Sequence, residues 1–320
     1  MSTVIVDAAG GPEGGAARFK VELSRYMERS GRQDLQIIGM GRRVDPAWLL
    51  RRETSFSMSG RRVALNNISF VTPGSERWTL LRNPLDFLTK DEDANLDPGL
   101  RALGRRRIPV VHLAARRADV LVVPSTAMAN RVAQTLPRVA SRVVVRHHPV
   151  SADSIPIMQR ESFILCPVIF APYKHMIPRL REWVTAIDGH IDSSIRMLVT
   201  ADPSEVPGDL ASHRLIKLMG RIPHAELRTL WARSRAIYFP SAIESFGFPL
   251  AEARVNGQPV IACDNELNQE VAGPALCGFT IGDADSLLSA TQRALYKNVT
   301  PDPTPFDPHS YFDWLLGEPR

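Results

Sequence analysis

Two carboxylates stand eight positions apart in the run AIYFPSAIESFGFPLAEARVNGQPVIACD, residues 236–264: Glu244 and Glu252. Between them lie Ser245, Phe246, Gly247 and Phe248, whose backbone N–H groups a loop would leave open, and then Pro249, which suits the first position of a helix. Residues 236–239 read as a buried strand, Pro240–Phe248 as a loop, and Pro249–Val255 as a helix. Glu252 is then expected in the first turn of that helix, where the dipole favours a negative charge. A helix N-terminus can hold a diphosphate without a metal, and Gly247 lets backbone approach a ligand closely. Two carboxylates can accept hydrogen bonds from sugar hydroxyls. The pattern suits an anion and polyol site. It also suits an ordinary strand–loop–helix in which Glu252 is a helix charge and Glu244 is solvated.

A second feature is the glycine cluster GGPEGG at 10–15, with Gly14 and Gly15 at its end, directly after the apolar run TVIVD at 3–7. Glycine there permits a tight turn, and it also permits a phosphate or sugar to approach backbone near a helix N-terminus. The spacing is neither G-x-G-x-x-G nor the P-loop pattern, so the dinucleotide and P-loop fingerprints are absent. No acidic residue follows the second strand near Met40 to take an NAD ribose.

These residues need elements to hold them. Apolar runs at 3–7, 35–40, 63–71, 78–81, 120–123 and 143–145 alternate with helical patterns from Ala16, over Pro98–Ala118 and over Ala127–Gln134. Strands are expected again at Phe163–Pro167, Arg196–Thr200, Leu215–Met219, Ala236–Phe239 and Pro259–Ala262. Helices are expected at Ile177–Ile187, His224–Ala232, Pro249–Val255 and Ala284–Tyr296. Such alternation predicts an α/β fold with mainly parallel sheets. The polar, proline-bearing stretch from Pro149 to Glu161 reads as a linker. The expectation is two Rossmann-like domains, 1–150 and 161–300, facing across a cleft. Residues 301–320 include a short amphipathic helix, Pro308–Leu316, that could cross back. Open sheets of this type take ligands beyond the carboxyl ends of their strands.

Composition narrows the classes. The chain has 320 residues, 44% hydrophobic and 23% charged, so a folded protein of two domains is expected rather than a disordered one. Three cysteines in no C-x-x-C pair predict neither a disulfide framework nor structural zinc. No uncharged apolar stretch is long enough to span a bilayer, and the start MSTVIVDAAGG reads as a strand, not a leader. Residues 1–150 hold 24 Lys+Arg against 14 Asp+Glu, a net +10, while 151–320 carry −5. A basic half fits an anionic partner: nucleic acid, an acidic membrane face or a phosphorylated substrate. The densest run, Arg101 to Arg107, reads as a solvated helix face. Aromatics do not interleave with it, which argues against single-stranded nucleic acid.

The residues now carry a resemblance. Glu244 to Glu252, with SFGFP between, looks like the E-x7-E signature of family 4 retaining glycosyltransferases. FILCPVIFAPYKHMIPRLREWV at 163–184 resembles the first strand, lysine loop and first helix of that family's C-terminal domain. LMGRIPHAELRTLWARSRAIYFPS at 218–241 resembles the stretch leading into the signature. The resemblance implies a GT-B fold and transfer of a sugar from a nucleotide-sugar donor to an acceptor hydroxyl, with retention and without a metal. It implies no cofactor, the nucleotide-sugar being a substrate. Glu244 would contact the donor sugar as the catalytic carboxylate and steady positive charge at its anomeric carbon. Lys174 would contact the diphosphate, Glu252 the ribose hydroxyls, and the N–H groups of Phe246, Gly247 and Phe248 the sugar and phosphate. Gly14 and Gly15 match the glycine loop of the N-terminal domain.

Two departures stand out. The family's arginine shortly before the lysine aligns with Val168 and Ile169. Its N-terminal histidine loop aligns with LLRN, which offers Arg82 and Asn83 instead. His112 lies in a predicted helix and reads as structural; His147 and His148 end a strand at the linker. The implied partners are a nucleotide-sugar and an acceptor that is a glycan, a lipid-linked saccharide or a small molecule, with no nucleic acid. The expected location is cytoplasmic, and the basic half is compatible with peripheral contact to the inner membrane face. The alternative is a non-catalytic protein of the same fold that binds a sugar or a partner, which the missing arginine favours. An NAD-dependent oxidoreductase is disfavoured by the absent fingerprint.

Overall fold

The computed structural model describes residues 3–317 except 12–13, 55–59, 95, 153–157, 168–169, 171, 193 and 242. The first half runs β1 (Val4–Asp7), α1 (Gly14–Ser30), β2 (Leu35–Ile38), α2 (Pro46–Arg52), β3 (Arg62–Ala64), β4 (Arg77–Leu80), α3 (Lys90–Ala94), α4 (Pro98–Ala115), β5 (Val120–Val123), α5 (Thr126–Thr135) and β6 (Val143–Val145). The second half runs β7 (Phe163–Cys166), α6 (Met176–Ile187), β8 (Arg196–Val199), α7 (Gly208–Ala211), β9 (Ile216–Leu218), α8 (His224–Arg233), β10 (Ala236–Phe239), α9 (Phe248–Val255), β11 (Val260–Cys263), α10 (Glu266–Ala272), β12 (Leu276–Phe279), α11 (Ala284–Tyr296) and α12 (Pro308–Leu316). Two compact units result. One is Met1–Pro149 with Phe306–Arg320; the other is Val150–Pro305.

Each unit is built on one six-stranded sheet, in the orders β2-β1-β3-β4-β5-β6 and β12-β11-β10-β7-β8-β9. Every pairing is parallel. Strands β1, β7, β10 and β11 are buried along their whole length, as apolar runs covered on both faces must be. Helix α6 shows the complementary pattern: Leu180, Trp183, Val184 and Ile187 recur at helical spacing and all are buried. They pack with Ile164, Met197 and Tyr238 in the core of the second unit.

Strand order reverses once in each sheet. After β1 the chain pairs β2 on one side, then places β3 on the other; after β7 it adds β8 and β9 on one side, then β10 on the other. The carboxyl ends of β1 with β3, and of β7 with β10, are therefore the switch points where sheets of this type hold ligands.

The last helix packs on the first unit. Tyr26 Oη donates to Asp313 Oδ1 at 2.6 Å, and the Phe19 ring meets Tyr311 and Phe312 edge to face. Trp314 sits edge-on to Trp78 at 5.0 Å.

Several boundaries differ from the pattern read in the sequence. The apolar run 63–71 stays a strand only to Ala64. Asn66 Nδ2 turns back to Asp7 Oδ2 at 2.7 Å, and Asn67 takes a left-handed φ of 65°. Helix α4 stops at Ala115 rather than Ala118, and α1 begins at Gly14 rather than Ala16. Elements α2, α3, α7, α10 and β12 lie outside the pattern. For α2 the start signal was present, since the Asp45 carboxylate caps the Trp48 N–H at 2.8 Å and Pro46 follows it.

Candidate active site

The second unit assembles charged groups at its switch point. Strands β7 and β10 are hydrogen-bonded neighbours, Ile237 opposite Leu165, so the loops leaving their carboxyl ends start side by side. The loop after β7 reaches a 3-10 turn, Pro172–Lys174, and then His175, which holds a left-handed φ of 51° before α6 begins. The loop after β10 carries Glu244. Lys174 Nζ donates to Glu244 Oε1 at 2.8 Å. Burial opposes the charge on Lys174, but the attraction and hydrogen bond of Glu244 outweigh it and hold the ammonium pKa above its ordinary value. The two side chains keep 19% and 16% of their surface exposed. An ammonium has three donors, so the pair leaves Lys174 with donors to spare.

Gly247 links this pair to α9. Its φ of 77° and ψ of 76° are left-handed. A Cβ there would meet Leu250 Cδ1 at 2.8 Å and Phe239 Cε1 at 3.1 Å, so the position needs glycine on both counts. The Gly247 carbonyl accepts from the Leu250 N–H at 2.9 Å. Gly247 is itself the N-cap and has no side chain to cap the helix. Phe246 is buried, and its ring stands edge-on to Phe248 at 5.3 Å. Ser241, at the end of β10, is buried with its hydroxyl unbonded among the described residues. Sequence reasoning passed over both Ser241 and His175. Their only signals were position, one just after a strand end and the other just after Lys174.

Glu252 corrects an expectation. Helix α9 starts at Phe248, so Glu252 is its fifth residue and lies in the second turn; the first turn holds no acid. The dipole effect fades beyond the first turn, so it does not account for a carboxylate here. Glu252 is buried, and its carbonyl accepts from the Asn256 side chain at 2.6 Å.

In the first unit the predicted residues are held by neighbours. Gly14 and Gly15 open α1 rather than remaining in a loop, Gly14 with φ 65°. The turn before them is gripped by Lys20, whose Nζ donates to the carbonyls of Gly10 and Gly11 at 3.3 and 3.0 Å. Burial, then the nearby Arg82 charge, lowers the Lys20 pKa. The Arg82 guanidinium lies 4.9 Å over the Phe19 ring and donates to the Leu65 carbonyl. Burial pushes its pKa down to about 10. Asn83 caps a short 3-10 turn by accepting from the Leu85 N–H at 3.1 Å. His112 is structural: Nε2 lies 2.7 Å from the Asp86 carbonyl oxygen, and the ring stacks on Phe87. His148 is buried against Phe19, and burial, then Arg82 and His147, lowers its pKa. His147 stacks on Phe306 at 5.4 Å. Val168 and Ile169 lie outside the described residues.

Another carboxylate is fully engaged at the first switch point. Asp7, at the end of β1, accepts from the Ala9 N–H, Trp48 Nε1, Arg52 Nη1 and Asn66 Nδ2 at 2.7 to 3.1 Å. Arg52 also donates to the Ser69 carbonyl at 2.6 Å and covers the Phe70 ring at 4.6 Å. Among the described residues no group of three or more His, Cys, Asp or Glu gathers to hold a metal.

The fold is that of GT-B glycosyltransferase structures. WaaG, a glycosyltransferase involved in lipopolysaccharide biosynthesis, superposes with a TM-score of 0.63 over 98% of this chain and 100% of its own, at 14% identity. Anabaena HepE, solved with UDP and glucose, superposes with a TM-score of 0.60 over 99% of this chain and 96% of its own, at 12% identity.

By sequence, residues 211–298 match the family described as Glycosyl transferases group 1. That stretch contains the Glu244 loop and α9. An 80-residue stretch is 31% identical to O-antigen chain mannosyltransferase B of Escherichia coli. The match covers 25% of this chain and spans about a fifth of that protein's length.

Proposed function

We propose that the protein is a glycosyltransferase that moves a sugar from a nucleotide-sugar to an acceptor hydroxyl, with retention of anomeric configuration and without a metal ion. The observation that carries this reading is the Lys174–Glu244 pair beside the glycine start of α9, at the switch point of the second sheet. The family match over 211–298 and the fold neighbours support it.

Cleavage of the sugar–phosphate bond leaves negative charge on the nucleoside diphosphate and positive charge at the anomeric carbon. Lys174 keeps its proton well into the alkaline range and turns its remaining donors on the diphosphate. The N–H groups of Phe246, Gly247 and Phe248 add the positive end of the α9 dipole. Both are fixed before the bond breaks, which is where electrostatic stabilisation is most effective. Glu244 faces the sugar and steadies the developing cation, and its pairing with Lys174 holds both groups in place. Glu252 takes the ribose hydroxyls. The first unit receives the acceptor.

A thermal-shift screen of nucleoside diphosphates and nucleotide-sugars identifies the donor, because a ligand at a hundred times its Kd adds about 2.7 kcal/mol of stability. With that donor, Glu244→Gln is expected to lower kcat at least a hundredfold while Tm stays within a degree or two. Unchanged turnover would remove Glu244 from the chemistry. EDTA-treated protein is expected to turn over at the untreated rate, and a loss restored by Mg²⁺ would defeat the metal-free route.

A further inference from the structure

We infer that the outer face of α4, in the first unit, docks on an anionic lipid surface. The helix buries Gly104, Val111, Ala114 and Ala115, and Val111 and Ala115 join Leu81, Phe87 and Leu121 in one core cluster. The opposite face carries Leu103, Val110 and Leu113, exposed by 69%, 47% and 57%. Positions 103, 106, 110, 113 and 117 recur at three- and four-residue steps, so they form a single stripe along the helix. Arg106 and Arg117 lie in that stripe, and Arg105 and Arg116 flank it; all four are exposed.

The charge of this face is not neutralised locally. Residues 98–118 contain no Asp or Glu. The acids at its ends are occupied: Asp97 caps α4, Asp93 pairs with Arg101, and Asp119 pairs with Arg77. Arg107, on the flank, pairs with Asp86 at 2.7 Å. None of Arg105, Arg106, Arg116 and Arg117 forms a salt bridge among the described residues. Three large apolar side chains set among four open cations match the interface of an acidic bilayer: the chains enter the acyl boundary and the guanidinium groups meet phosphates. A second copy of the same face would set like charges against each other. Duplex nucleic acid would leave the leucines wet. No helix among the described residues is long and apolar enough to cross a membrane, so the contact is peripheral.

The test uses the full chain and vesicle flotation. With phosphatidylglycerol–phosphatidylcholine vesicles at 0.1 M salt the protein is expected to float. With phosphatidylcholine alone, or at 0.5 M salt, it is expected to stay behind, because screening shortens the reach of the charges. Replacing Arg105, Arg106, Arg116 and Arg117 by Gln should lower partitioning on the order of several hundredfold, from the typical contribution per basic residue. Should that variant fail to fold, Arg105→Gln with Arg116→Gln is read instead, with a loss of roughly thirtyfold expected. Leu103→Ser with Leu113→Ser should lower partitioning at least tenfold with the charges intact. Wild-type protein that ignores acidic vesicles, or variants that float undiminished, would overturn the assignment. So would retention on duplex DNA without flotation, or a dimer that the serine variant dissociates while flotation persists.

Discussion

The two switch points hold the same type of pair, a carboxylate facing a cation, and treat it in opposite ways. In the first unit Asp7 and Arg52 meet at 2.7 Å with side chains 0% and 1% exposed. Three further protein donors close around the Asp7 carboxylate. In the second unit Lys174 and Glu244 meet at 2.8 Å on the rim of their loops, still open to solvent. A saturated pair orders a fold; a half-satisfied pair at the same topological place has capacity left for a guest. Strand topology therefore marks two candidate sites, and hydrogen-bond saturation separates them.

That contrast can be broken by mutation. The largest effect is expected for Asp7→Asn, which takes from the buried Arg52 its closer carboxylate and leaves it Glu53 at 3.3 Å; removing one partner of a buried pair typically costs about 3–5 kcal/mol. Chemical denaturation should show it as a lowered midpoint, and an unfolding free energy within about 1 kcal/mol of wild type would erase the distinction. Next comes Lys174→Met. Loss of a preorganised cation at the developing diphosphate charge is expected to lower kcat on the order of a hundredfold, about 2.7 kcal/mol. Its effect on folding should stay below about 1 kcal/mol, because the pair is partly solvated. Equal losses of stability in Asp7→Asn and Lys174→Met would show that both pairs serve the fold.

Smaller still is Gly247→Ala. A non-glycine residue in the left-handed region costs roughly 1–2 kcal/mol, and here the methyl also meets Leu250. Calorimetry should find a modest fall in Tm, with a raised KM for the donor as the start of α9 shifts. The smallest effect is on pH dependence. The Lys174 pKa is raised above 10.5 in the folded state. Its contribution is therefore complete below 10.5 and fades only as pH climbs through the folded value. Stability measured from pH 7 to 9 should show no slope that Lys174→Met removes. Above pH 10.5 the difference between wild type and variant should shrink.

Much of the architecture was legible because each sheet strand is a short apolar run bounded by turn residues. In the second unit β7, β8, β9, β10 and β11 all fall within a residue or two of the positions their sequences suggest. What failed was shorter or less periodic. Strand β12, LCGF, is as long as β7, but Gly278 interrupts its apolar run, and a Cβ there would press on Asp264 at 3.0 Å. The run 63–71 looked like one strand because apolar content cannot see that Asn66 is drawn away to Asp7. At the site, the meeting of Lys174 with Glu244 across 70 positions depends on β7 pairing with β10, which no local pattern reveals. The one-residue shift that takes Glu252 out of the first turn follows from Phe248, not Pro249, opening α9. Boundaries of that kind turn on one backbone dihedral, here the left-handed Gly247.

The return of α12 has a practical corollary for dissecting the molecule. A fragment cut after Pro149 would leave Phe19, Tyr26 and Trp78 without Tyr311, Phe312 and Trp314, the rings that shield them. Such a fragment should be sticky and poorly soluble. Grafting residues 306–317 onto it through a flexible tether, or rejoining them ahead of the first strand, is the route to a well-behaved half.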